Sequence, residues 1–145
     1  MKKAIFLITF LLLISMGGVG FAEPIGAPVQ GKSITGIVID VHGMGLETAM
    51  SPRIYDENGR ALTNVIPDDL NWISHNGTVD YYDADSLKEV LDGNSRVGKN
   101  FILVYATQIR DFNTNPVISV ADAIKLRNLP ELNDIFKKAS IVFVR

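Results

Sequence analysis

Three apolar runs constrain the fold of this chain more than any other feature: Ser33–Val41 (SITGIVIDV), Phe101–Ile109 (FILVYATQI) and Ile141–Val144 (IVFV). In the first, Ile37, Ile39 and Val41 alternate onto one face while Ile34 and Val38 take the other. A strand that is apolar on both faces belongs inside a sheet. The first half of Phe101–Ile109 has the same character. The terminal run must also insert into a sheet, because a free apolar edge would aggregate.

Helices are expected between these strands. Asp83–Asp92 presents Leu87, Val90 and Leu91 as a buried stripe, with Ser86 and Glu89 at capping-box spacing, Asp83 or Asp85 as alternative caps, and Gly93 as the stop. Ser119 with Asp122 opens a second helix running to about Asn128. Pro130 suits the first position of a third, Pro130–Ala139, which would bury Leu132, Ile135 and Phe136. Asp56-Glu57-Asn58-Gly59 reads as a hairpin turn, because Asn and Gly accept positive φ, and Arg60–Ile66 would be its returning strand. Pro67–Thr78 reads as irregular, with a tight turn at Asn76-Gly77, and Asn113–Pro116 as a turn before Val117-Ile118. The expected fold is one small α+β domain. Its mixed or antiparallel sheet has about four to five strands, with two to three short helices.

The N-terminus carries a location signal. Lys2 and Lys3 precede an apolar stretch from Ala4 to Met16, and Gly20 and Ala22 place small residues at −3 and −1 of a cut before Glu23. Residues 1–22 therefore read as a secretory signal peptide. Residues 23–32 then form a flexible leader rich in proline and glycine, and 33–145 the domain. Cleavage leaves 123 residues with twelve Lys+Arg against sixteen acids, a net charge of −4. A mildly acidic domain is a poor partner for nucleic acid or an anionic membrane, which both reward a basic face. With no cysteine in the chain, neither disulfides nor a lipidated cysteine is available, and stability must come from packing.

The segment Asp40-Val41-His42-Gly43-Met44-Gly45 is the leading candidate for a ligand or interaction loop, with Asp40, His42, Gly43 and Gly45 as its residues. An acid leaves the end of a buried strand, and two glycines free the backbone that follows. A dinucleotide fingerprint is incomplete there, since Thr48 stands where the third glycine would be. The plainer role for Asp40 is to accept N–H groups of its own loop. Asp56, Asn58 and Gly59 are read as a structural turn. His42 and His75 are the only histidines, so no metal centre with recognisable ligand spacing is present. No serine occupies a nucleophile elbow. Asp80–Asp85 (DYYDAD) lacks the glycine and distal glutamate of a calcium loop and reads as a polar approach to a helix N-terminus.

Thr35–Asp40, then Gly43-Met44-Gly45-Leu46, then Ala49–Gly59 (AMSPRIYDENG) resemble the core motif of a small bacterial envelope family. That family includes the flagellar assembly lipoprotein FlgP and related outer-membrane lipoproteins. Val117-Ile118-Ser119 with Asp122-Ala123, and the closing Ser140–Val144, resemble its second half, so the likeness spans about Ser33 to Arg145. It implies a periplasmic or outer-membrane-associated structural domain that self-associates, with no catalytic residues and no cofactor. This chain departs in three places: the lipid-bearing cysteine is absent, His42 stands where a basic residue is common, and Thr48 stands where proline is common. The expectation is an exported, non-enzymatic protein in the periplasm or at the outer-membrane periphery. It would associate with other envelope proteins or with itself and have no transmembrane anchor after cleavage. The alternative is a small-ligand binding domain using Asp40–Gly45.

Overall fold

The computed structural model describes residues 29–145; the expected signal peptide and the first part of the leader lie outside them. The elements are β1 (Gly36–Asp40), β2 (Tyr55–Asp56), α1 (Leu70–Asn76), β3 (Asp80–Tyr82), a 3₁₀ turn (Ala84–Ser86), α2 (Leu87–Leu91), β4 (Phe101–Arg110), β5 (Asn115–Ile118), α3 (Val120–Arg127), α4 (Leu132–Lys137) and β6 (Ile141–Val144).

The strands form one mixed sheet in the order β2-β5-β4-β1-β6-β3. β1 lies at its centre, parallel to β4 on one side and to β6 on the other. β3 runs parallel to β6 at one edge, and β2 parallel to β5 at the other. Only β4 and β5 are antiparallel neighbours. The α+β class holds. The sheet has six strands and the domain four α-helices, one or two more of each than the apolar runs announced.

Burial explains the central strands. Ile37, Val38 and Ile39 are fully buried, as are Val142 and Phe143 of β6. Alternation splits them between two cores. Ile37, Ile39, Val104, Ile141 and Phe143 pack under Ala123 and Leu126 of α3 and Leu132 and Ile135 of α4. Val38, Phe101, Val142 and Val144 pack on the other face against Val90 of α2 and Val97. Helices therefore cover both faces, as a largely parallel sheet requires.

Several local expectations change. Arg60–Ile66 does not return as a strand: the hairpin closes with a single bridge, Tyr55 to Ala61, and the Leu62 N–H donation to the Ile54 carbonyl. Beyond Leu62 the chain leaves the sheet; β2 is only two residues long and offers no further ladder to pair with. Pro67–Thr78 is not irregular throughout, because Asp69 caps α1 by accepting the Trp72 N–H at 2.8 Å. Asn76-Gly77 is the end of that helix, with Gly77 at φ 70°. Asp80–Tyr82 is an edge strand, not a polar approach to a helix. Ser86 makes no capping hydrogen bond, and the predicted single helix begins instead as the 3₁₀ turn. The Ser119 cap is present, its Oγ accepting the Asp122 N–H at 3.0 Å.

One glycine is required by packing. A Cβ on Gly36 would lie 2.5 Å from Val97 Cβ and 2.8 Å from the Ser140 carbonyl oxygen. The Ser140 contact is backbone and is fixed by the Ile37 N–H donation to that oxygen. Gly36→Ala should therefore destabilise the domain by about 1–3 kcal/mol, the range for overpacking a filled core, as read by urea denaturation. Gly43→Ala meets no such contact and should show only the smaller backbone penalty of its positive φ.

Candidate functional site

The loop after β1 is organised by its own backbone. Asp40 Oδ1 accepts the His42 N–H at 2.9 Å, and the Met44 N–H donates to the Val41 carbonyl. Gly43 and Gly45 have φ of 76° and 73°, and a Cβ on either would meet nothing within 4 Å. Their glycine character thus serves the turn rather than a close approach. His42 is exposed. The chain continues from Gly45 through buried Leu46 toward β2, so the glycines do not lead into a helix N-terminus as a dinucleotide loop would. Asp40 pairs in register with Tyr105 of β4, and Tyr105 is exposed.

The far end of this loop meets the tip of the β4–β5 hairpin, where the Glu47 N–H donates to the Asn113 carbonyl at 2.8 Å. That tip is strained. Asp111, Phe112 and Asn113 have φ of 51°, 58° and 61°, three consecutive non-glycine residues in the left-handed region. Each such residue costs on the order of 1–2 kcal/mol, with Asn and Asp the most tolerant. The tip is held by a compact set of bonds. The Thr114 N–H and Oγ1 both donate to the Asp111 carbonyl, Asn115 Nδ2 donates to Asp111 Oδ2 at 2.9 Å, and Arg110 pairs with the same carboxylate at 3.0 Å. Arg110 also stacks over the Tyr55 ring at 4.4 Å. The outcome is a phenylalanine, Phe112, that is 96% exposed. Sequence reasoning took 113–116 as a turn and missed Phe112, although an aromatic between Asp111 and Asn113 was the available signal.

Asp56, Asn58 and Gly59 form the expected turn, and the structure adds a partner. Asp56 is 2% exposed. Its Oδ1 accepts the N–H groups of Asn58 (3.0 Å) and Arg60 (2.9 Å), and its Oδ2 pairs with Arg127 Nη1 at 2.9 Å. Arg127, from α3, also donates to the carbonyls of Ala61 and Leu62. Gly59 takes φ 78°. The turn is thus clamped to a helix about seventy residues further along the chain. The Arg60 N–H bond, with the Arg127 bond and charge and the Asn58 N–H, outweighs burial and holds the Asp56 carboxyl below its usual 3.8.

At the opposite edge, the Tyr81 hydroxyl donates to the Ala49 carbonyl and accepts the Ala49 N–H, both at 3.0 Å. Burial raises its pKa, which keeps the donor proton in place. Arg96 bonds Asp80 at 2.6 Å and the carbonyls of Asn76, Gly77 and Ala139. The acidic-aromatic patch therefore ties loops together. His75 lies in the last turn of α1, its Nδ1 2.9 Å from the Asn71 carbonyl. Among the described residues no helix is long and apolar enough to cross a membrane.

The whole sheet, from β1 to β6, falls within the match to a known sequence family. Residues 36–145 match the model of the second domain of Treponema pallidum Tp0624. The chain belongs to that domain family. The match starts at Gly36, the first residue of β1, so the family unit is the sheet with its helices, hairpin tip and glycine loop. The kinship shown is thus to a bacterial domain family. No curated protein matches the chain.

A carboxylate with a lowered folded-state pKa adds stability above its unfolded value and loses it as pH falls through the folded one. The Asp56 contribution should therefore be intact above about pH 3.8 and disappear below it. Asp111, whose pKa is lowered first by the Asn115 hydrogen bond, adds to the same limb. Asp56→Asn should lower the melting temperature at pH 7 and flatten its fall below pH 3.8, as followed by circular dichroism.

Proposed function

We propose that this is an exported, non-enzymatic envelope domain that works by association with another envelope protein or with a second copy of itself. The observation that carries this reading is Phe112. A fully exposed aromatic is held on three left-handed residues by bonds that stabilise the tip without burying the ring. Strain kept in this way gathers at functional sites, and an aromatic displayed on a rigid tip is the type of anchor that dominates protein interfaces. The neighbouring glycine loop widens the surface. Gly43, Gly45 and His42 are exposed, and the second half of β4 pairs with β5 but extends past the end of β1.

The motif likeness to FlgP and the outer-membrane lipoproteins supports the same reading and extends it to a structural, flagellum-related role. The signal-like N-terminus supports export. The absent cysteine supports a product free of a lipid anchor.

Crosslinking of the exported protein in its native envelope, with light scattering on the purified protein, tests the proposal. The wild type should be recovered with a partner or as an oligomer. Phe112→Gly should lose that recovery while raising stability by about 1 kcal/mol, because glycine relieves the left-handed penalty. A strict monomer with no crosslinked partner would overturn it.

A further inference from the structure

The side of the domain under α1 holds a cavity of about 360 Å³. Val79 and Ile141 form part of its floor, Leu70 and Ile73 its α1 wall, and Ile66 its rim. Leu70 and Ile73 are three apart, the spacing that places two side chains on one helix face. Yet α1 buries no residue at all, and Ile66 and Leu70 remain 71% and 63% exposed. This helix does not close onto the core. Its backbone is fastened by polar bonds instead: the Asp68 N–H to the Lys137 carbonyl before it, and Arg96 to the Asn76 and Gly77 carbonyls at its end. Arg96 also stacks on the Trp72 ring at 4.9 Å. The cavity stays open beneath a helix held from its two ends.

Its electrostatics are one-sided. Among the described residues Arg53 is the only charged one lining it, although the domain as a whole carries more acids than bases. The Arg53 backbone N–H is taken by Asn115 Oδ1. Its guanidinium forms no ion pair or hydrogen bond with any described residue. A largely apolar cavity of small-ligand size with a single cationic residue in its lining is the pattern of a site for an apolar tail with an anionic head.

We propose that this cavity binds a free single-chain amphiphile bearing one carboxylate, its tail between α1 and Ile141 and its head on Arg53. The tail would bury the aliphatic surface now exposed on Leu70 and Ile66, which is the driving force for binding. The head would supply the bidentate acceptor that a guanidinium fits. The proposal does not depend on the association reading, although Asn115 bonds both the Arg53 backbone and the Asp111 carboxylate of the hairpin tip.

Trp72, the only tryptophan in the chain, lies on α1 and reports occupancy. The exported protein is titrated with decanoate below its micelle-forming range, and in parallel with decanol, following Trp72 emission and melting temperature. Decanoate should bind saturably and raise the melting temperature. Arg53→Gln, a change at an exposed residue, should weaken decanoate about tenfold or more and leave decanol unchanged. Leu70→Gln, also exposed, should weaken both. The absence of saturable decanoate binding, or an unchanged decanoate affinity in Arg53→Gln, would overturn the proposal. Retention of the protein on phosphatidylglycerol vesicles that Arg53→Gln abolishes would overturn it in favour of a membrane surface.

Discussion

The parallel pairing of β6 with β1 is the constraint on which the rest of this domain depends. Ile37 to Asp40 sit beside Ile141 to Val144 in the centre of the sheet, and the side chains on both faces of β6 are buried. Nothing local can bring these segments together, since about a hundred residues separate them. Once they pair, each neighbour has its place. β4 takes the other side of β1, β3 takes the free edge of β6, and the two cores fill above and below. Gly36 marks how tightly this closes, with Val97 and the Ser140 carbonyl where a side chain would begin.

Charge does a second part of the organising, at places the apolar core does not reach. The Asp56–Arg127 pair fastens the first hairpin to α3, and Arg96 gathers the end of α1, β3 and the turn before β6. A buried pair of this kind contributes little by replacing water, because desolvation offsets its attraction, but it specifies which loop meets which helix. Removing one partner leaves the other charge buried and uncompensated, so the pair once formed cannot be broken without loss of stability.

A rigid sheet with loosely covered ends leaves two surfaces of different character. At the carboxyl end of β1, the glycine loop and hairpin tip are ordered by hydrogen bonds and present Phe112 outward. Under α1 the covering is incomplete and the interior opens to solvent beside Arg53. The first is the surface proposed for a protein partner; the second is the cavity proposed for a small amphiphile. Both arise where the chain leaves the sheet, which is where loops on a fixed scaffold carry function.

Much of this was legible in the residues alone. Doubly apolar runs determined the two central strands and the inserted terminal one, because a segment without a polar face has nowhere else to go. Ser119 determined the start of α3, and Asp56, Asn58 and Gly59 a turn, because capping and positive φ are local chemistry. Short elements were not legible. β3 exists because β6 offers it an edge, and α1, at seven residues, is too short to announce itself by periodicity. The apparent returning strand after Gly59 reaches the free side of β2 only at Ala61 and Leu62, because β2 itself is two residues long and offers no further ladder. The clamp of Arg127 on Asp56, the exposure of Phe112 and the opening beside Arg53 were likewise decided only by the tertiary structure. Each depends on contacts, or on missing cover, between segments far apart in the chain, whereas local sequence specifies only what a residue can do with its near neighbours.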